Sequence, residues 1–436
     1  MKRLLIIAFH YPPFFGSSGI LRTLKFSEYI PENNWECSVL TASPGAYSQS
    51  AADERKGAAL IPRGVAITRT FALDAKRLSI GGYYPSLAAL PDRWISWWPG
   101  AMLAGLRIIR SWRPDVIFST YPIATTHLIA YCLARWTGVP WVADFRDSMT
   151  EENYPTDARQ RRVYRWIERK TVAAAACVVF TTRGTATMYR ERYPQIPADR
   201  WQIVPNGYDE DMFRAFDAVQ PTARGNERVT LLHTGILYPH ERDPRAFFRA
   251  VAALKQQGTF AAGRVRIVFR ATGHDDVIAR MLAESGIADI VELAPSIPYQ
   301  AALREMLEAD GLLVFQAANS NHQIPAKTYE YMRAGRPILA VTDPAGDTAE
   351  LLRSSGIDSI ARIDDATDIE LRLASFLQQI RAGTAVTATP EAARQYSRRA
   401  QAAAMAALLN EVAAARRDSS PQQTRGAIAD LTKSAE

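Results

Sequence analysis

The chain has 436 residues, 47% of them hydrophobic and 22% charged, with a formal net charge of +7. That length allows two or three domains with their own cores and excludes a disordered or fibrous chain. No apolar run approaches the roughly 18 residues that a membrane-crossing helix needs.

The charge is unevenly spread. Residues 1–205 hold 26 Lys/Arg and 16 Asp/Glu, whereas residues 206–436 hold 26 and 29. A basic half beside a slightly acidic half predicts that only one of them meets a polyanion. An anionic membrane surface or a lipid-diphosphate acceptor fits. No nucleic-acid module is legible, so nucleic acid is not an expected partner. The plainer alternative is that the charge only aids solubility.

Met1-Lys2-Arg3 followed by apolar residues 4–9 imitates a signal peptide. The run is too short, and His10-Tyr11-Pro12-Pro13 interrupts it where cleavage would be expected. Residues 4–9 are therefore read as a buried first strand. Gly16-Ser17-Ser18-Gly19 is a loop whose glycines let backbone N–H groups approach a ligand, or an ordinary turn. A helix is predicted over 20–30 and strands over 36–40 and 115–119. Asp92-Arg93-Trp94-Ile95-Ser96-Trp97-Trp98, followed by an apolar run and Arg110, reads either as core packing or as a membrane-surface contact. A helix over 124–136 places His127 in a packing role.

A strand over 140–143 leads into Asp144-Phe145-Arg146-Asp147. A carboxylate there could orient an acceptor hydroxyl or take its proton. Equally, Arg146 could pair with either Asp and fix the loop. A basic helix follows over 158–176, then strands over 177–181 and 201–204. Pro205-Asn206-Gly207 is a strong turn and marks a domain boundary, giving a first domain over 1–207.

The rhythm restarts with strands over 229–232, 265–269, 291–293, 311–315 and 337–341. Helices over 244–256, 276–285 and 299–309 lie between them. Strands alternating with helices predict an α/β protein of two doubly wound Rossmann-like domains with parallel sheets. Ligands of such sheets bind beyond the carboxyl ends of the strands, so a cleft between the domains is the expected site. The second domain is placed at 208–390. Residues 391–415 are predicted as one long helix, and 416–436 as a disordered tail. Cys37, Cys132 and Cys177 are scattered in apolar stretches, which predicts reduced core thiols and a cytoplasmic compartment. No metal-spaced His/Cys cluster is present, and the one D-x-D, Asp209-Glu210-Asp211, reads as a solvated turn or cap, so no metal is expected.

The richest stretch is Ile324-Pro325-Ala326-Lys327-Thr328-Tyr329-Glu330-Tyr331, ending at Gly335-Arg336-Pro337. It reads as a short helix, with Pro325 at its first position, Gly335 just past its end and Pro337 as a stop. Lys327 and Glu330 are three apart and share a face. An anion at the N-terminus would meet free N–H groups and Lys327, while Glu330 could accept from hydroxyls of the same ligand. Phosphate at one end and sugar hydroxyls at the other describe a nucleotide.

Lys327, Glu330, Tyr331 and Gly335-Arg336-Pro337 resemble the nucleotide-sugar motif of the family-4 glycosyltransferases, which have the GT-B fold. The resemblance implies a retaining transfer from a nucleotide-diphosphate sugar, a co-substrate rather than a cofactor. The acceptor implied is a glycan or lipid-linked hydroxyl in cell-surface polysaccharide synthesis. Lys327 would hold the donor diphosphate and Glu330 the ribose. Arg242 resembles the family's second diphosphate cation; taken alone, an ion pair with Glu241 or Asp243 is the favoured reading, and Lys327 beside it turns the balance. Gly16, with Tyr11-Pro12-Pro13 before it and Arg22 and Lys25 after it, resembles the loop that touches the donor phosphate. Gly235 and the loop holding His322, Gln323 and Ile324 would adjoin the donor. His322 stands where the family has a glutamate. Asp144, Arg146 and Asp147 resemble an acceptor-side segment. The terminal helix would cross back to the first domain, and the enzyme would sit in the cytoplasm or on the inner face of the plasma membrane. The rivals are a nucleotide-sugar epimerase of the same shape and a nucleotide-sugar-binding protein without transfer activity.

Overall fold

The computed structural model describes residues 1–14, 18–47, 50–78, 89–152, 154–216, 228–239 and 242–418. They form two compact units. One comprises Met1–Thr181, Met188–Val204 and the described chain from Ala402; the other comprises Thr182–Thr187 and Pro205–Gln401.

The first unit is built on a seven-stranded parallel sheet. Its strands are β1 (Lys2–Ile7), β2 (Trp35–Ala42), β3 (Ala66–Thr70), β4 (Val116–Thr120), β5 (Trp141–Arg146), β6 (Cys177–Phe180) and β7 (Trp201–Ile203), in the order β3-β2-β1-β4-β5-β6-β7. The Leu4–Ile7 run is wholly buried, as strands covered by helices on both faces must be. The edge strand β3 escaped sequence reading because Ala-Ile-Thr-Arg-Thr is half polar and only half buried. Strand β5 runs three residues longer than predicted. Asp144 and Arg146 therefore belong to the strand and not to a loop after it.

The second unit repeats the plan with β8 (Val229–Thr234), β9 (Val265–Arg270), β10 (Val291–Ala294), β11 (Gly311–Phe315), β12 (Ile338–Thr342) and β13 (Ile360–Arg362). Their order is β10-β9-β8-β11-β12-β13, all parallel. The three-residue β13 at the edge left no readable pattern.

The predicted helix over 391–415 is two helices, Pro390–Arg394 and Arg398–Asp418. The break has a backbone cause. Tyr208 donates its N–H to Tyr396 and accepts from the N–H of Arg398, which takes both groups out of the helical ladder. Beyond the break Met405, Leu409 and Ala413 pack into the first unit's core with Leu4, Phe26 and Val39. The helix continues through 416–418, and the rest of the predicted tail lies outside the described residues. Cys37 and Cys177 are buried and all three thiols are free. No described helix is long and apolar enough to cross a membrane. The tryptophan segment packs inward: Trp97 is fully buried with its Nε1–H on Thr70, and Trp94 lies 5.0 Å from the Phe9 ring.

Candidate functional site

In the second unit the helix Ala326–Ala334 follows β11 through a loop. Pro325 is its N-cap (φ −55°, ψ 130°), one position earlier than the sequence reading placed it, and no side chain caps the first turn. Gly335 ends the helix at φ 64°, the left-handed position that favours glycine. Tyr331 fixes the helix against the end of β8. Its hydroxyl accepts the Thr234 N–H at 2.8 Å and lies 3.1 Å from Thr234 Oγ1. Burial raises the Tyr331 phenol to about 12, so it stays neutral.

Lys327 and Glu330 meet as three-residue spacing requires. Lys327 Nζ is 2.7 Å from Glu330 Oε2, and Tyr299 donates to Glu330 Oε1 at 3.1 Å. The ammonium also sits 5.2 Å from the Tyr299 ring centroid, within cation–π range. Tyr299 begins a helix 31 residues upstream and carried no sequence signal for this role. Carboxylate and ammonium are thus held on one turn beside an uncapped, electropositive helix end.

Arg242 belongs to a turn, its N–H bonded to Tyr238 O at 2.7 Å. Its guanidinium contacts Ile236 O at 3.4 Å and lies 5.9 Å from the Tyr238 ring. Asp243 pairs with Arg245, not with Arg242, and Glu241 lies outside the described residues. Gly235 has φ 126°, which turns the chain sharply off the end of β8. His233, on the same strand, was not singled out in the sequence. It is buried, with Nδ1 2.9 Å from Leu313 O and Nε2 unpartnered among the described residues. Burial lowers its pKa to about 4 against the Leu313 carbonyl, and Arg242 and Lys327 both push the same way. Both cations thus disfavour a charge on this imidazole.

The loop before the helix is tied down through its backbone. His322, Gln323 and Ile324 were expected to adjoin the donor. The backbone carbonyls of His322 and Gln323 are occupied, by Thr182 and Thr185 on one and by Gln316 and Thr348 on the other. Ile324 packs against the apolar core under the helix. Only the His322 imidazole is exposed, next to Asp347. Both Asp347 carboxylate oxygens take the Gly184 N–H, at 2.9 and 3.1 Å. A Cβ on Gly184 would meet His322 Nδ1 at 2.4 Å, so this close approach requires glycine. The loop is thus anchored by side chains of neighbouring elements on its carbonyls, which leaves the His322 imidazole exposed.

In the first unit Asp144 is a buried counter-ion. Arg22 Nε and Nη2 reach its two oxygens at 3.0 and 2.9 Å, and Thr120 donates at 2.9 Å. With no exposed surface it does not meet an acceptor, which corrects the expectation placed on it. Arg146 does something else. The Asp147 N–H bonds to Phe145 O at 2.7 Å around Arg146 at φ 60°, a three-residue turn in a strained region. The strain aims the guanidinium at Gly19, near the start of the helix Ser18–Tyr29, where a Cβ would lie 2.6 Å from Nη1. Nη1 also reaches Tyr121 O at 3.1 Å, and Nε is buried without a partner among the described residues. Asp147 is half-buried, and burial raises its pKa against the pull of Arg146. His10, at the end of β1, was also passed over. Burial first and Arg146 second lower it to about 4. Gly16 lies outside the described residues. His127 is packing, its Nδ1 2.8 Å from Ser119 Oγ and its pKa lowered to about 3 by burial. Among the described residues no group of three or more His, Cys, Asp or Glu could hold a metal.

Residues 22–207 match the family model of the glycosyl transferase 4-like domain. Solved structures match the whole fold. HepE from Anabaena, in complex with UDP-glucose, is 12% identical over 94% of this chain and 100% of its own, with a TM-score of 0.62. WaaG, a glycosyltransferase involved in lipopolysaccharide biosynthesis, is 12% identical over 93% and 99%, at 0.58. A UDP-N-acetylglucosamine 2-epimerase is 13% identical over 92% and 94%, at 0.51. At such identities the likeness shows the fold alone, and that fold is GT-B. Among curated proteins none matches this chain.

Proposed function

We propose that the protein is a retaining glycosyltransferase that moves a sugar from a nucleotide-diphosphate donor to a hydroxyl of a glycan or lipid-linked acceptor. The observation that carries the reading is the Ala326–Ala334 helix. Within one turn it presents an uncapped N-terminus, Lys327 and a Tyr299-oriented Glu330. Lys327 and Arg242 would stabilise the charge that gathers on the departing diphosphate, with Glu330 on the ribose hydroxyls. Two cations and a helix end can do this without a metal, so we expect metal-independent transfer. Arg146 and Asp147 are the first unit's candidates to orient an acceptor hydroxyl. The domain match over residues 22–207 supports transfer, and the neighbour in lipopolysaccharide biosynthesis supports a cell-surface glycan as product.

The epimerase among the structural neighbours keeps one rival in view. An epimerase would convert the donor to a sugar isomer with no acceptor present, whereas a binding protein would be stabilised by donor and release none of it. Thermal denaturation with UDP- and GDP-sugars is the first test. A hundredfold excess over the dissociation constant should stabilise the fold by about 2.7 kcal/mol. Absence of any shift with every donor would remove the reading.

A further inference from the structure

We infer that the outer face of one helix layer in the first unit docks on an anionic lipid bilayer. The helices Trp97–Trp112 and Ala158–Ala174 flank the helix Ala124–Thr137 and pack against it, forming one layer. In chain order the three carry two, one and six Lys/Arg, and a single acidic residue, Glu168. Glu168 offers nothing to the surface. It is fully buried and takes hydrogen bonds from Thr150, Tyr189, Tyr193 and Arg192. The outward charge of the three helices is therefore uniformly positive, although Glu151 and Glu152 of the preceding loop line a groove beside Arg165 and Arg169.

The outward residues fall at helical spacing. Leu103, Arg107 and Arg110 form one stripe, and Arg162, Arg165, Trp166 and Arg169 another, with Arg135 and Trp136 on the helix between. Trp136 is 61% exposed, Leu103 58% and Trp166 41%. Large apolar side chains interleaved with arginines suit the boundary between headgroups and acyl chains. An open groove of about 500 Å³ runs along the last helix, lined by Arg161, Arg162, Arg165, Trp166 and Arg169. None of Arg162, Arg165 and Arg169 has an acidic partner among the described residues. A cation kept unpaired among others of its sign is best explained by a ligand of opposite charge.

The second unit supplies the control. Its topologically equivalent helices Tyr299–Glu308, Ala326–Ala334 and Asp347–Ser354 carry one, two and one basic residues against two, one and two acidic ones. The basic layer is thus a property of one unit, and not of the fold. A bilayer is favoured over nucleic acid because the surface is a broad helix layer bearing tryptophans and an exposed leucine, with no element shaped to enter a groove. The inference rests on the transfer reading only for its purpose, which would be to bring a lipid-linked acceptor within reach.

The test is co-sedimentation of the full chain with phosphatidylcholine vesicles, with and without phosphatidylglycerol, at low and high salt. Binding should require phosphatidylglycerol and fade with salt. Joint replacement Arg162→Glu, Arg165→Glu and Arg169→Glu should weaken partitioning on the order of a hundredfold or more, taking each cation as worth about a factor of five to ten. Trp166→Ala with Trp136→Ala should also weaken it, with the arginines intact. Donor-induced thermal stabilisation, read on the same proteins, should be unchanged, which separates this inference from the transfer reading. It is overturned if the wild-type chain ignores phosphatidylglycerol at low salt. It is overturned equally if the triple variant binds as well as wild type, or if duplex DNA captures the protein more tightly than the vesicles do.

Discussion

Two cation–carboxylate pairs stand at the carboxyl ends of the two sheets and differ in their surroundings. Arg22 and Asp144 are 1% and 0% exposed; Lys327 and Glu330 are 32% and 11% exposed. The first pair is bidentate, joined by Thr120 and by the Val204 carbonyl on Arg22, and it is shut off from solvent. The second touches solvent, borders an uncapped helix end and shares its field with Arg242. A sealed pair ties strands to helices; an open pair beside an electropositive helix end has bonds left to give to a ligand. A cation–carboxylate pair is thus sealed architecture in one unit and open to solvent in the other.

The comparison breaks most sharply at Asp144. Asp144→Ala leaves a buried guanidinium uncompensated and should cost about 3–5 kcal/mol in chemical denaturation. If stability barely changed, the first pair would not be the internal tie described here. Lys327→Ala should behave in the opposite way, with little loss of stability but a fall in transfer rate of roughly 10²–10³-fold, about 2.7–4 kcal/mol of barrier. Full activity in that variant would move the donor site elsewhere.

The histidines come next. His10, His127 and His233 have folded-state pKa values of about 4, 3 and 4, held by burial below the ordinary 6.5. The unfolded chain therefore takes up the protons first. Stability from these groups is complete above about pH 6.5 and is lost as the pH falls toward 4. The slope is roughly 1.4 kcal/mol per pH unit for each histidine. Denaturation midpoints at stepped pH should show this, and His127→Gln should remove one histidine's share of the slope. The smallest effect is expected at Gly335. An alanine at φ 64° should cost about 1–2 kcal/mol by melting temperature, without abolishing donor binding.

The difference between the pairs was not legible in the sequence. Asp144-Phe145-Arg146-Asp147 and the Lys327–Glu330 spacing both read as sites, because charged residues after a parallel strand look alike whether or not they face water. Asp144 turned out to be structural because Arg22, 122 positions earlier, lies over it. Arg146 and Asp147 stayed in play because a strained turn at the end of β5 sets the two apart from Asp144. The His322–Ile324 loop read as donor-facing, whereas the hydroxyls of Thr182 and Thr185 had already claimed a carbonyl of that loop from about 140 positions away.

By itself the sequence determined what depends on neighbours along the chain. That covers the alternation of apolar runs and helices that makes two parallel sheets, the Gly335 stop, the Lys327–Glu330 face and the basic character of the first half. These follow from periodicity, caps and composition, which act over one or two turns. Only the tertiary structure decided which charges are sealed and which are open, that Tyr299 steadies Glu330, that His233 feels both cations, and that basic residues on three separate helices form one surface. Those outcomes depend on burial and on distances between residues far apart in the chain, and no local pattern carries either.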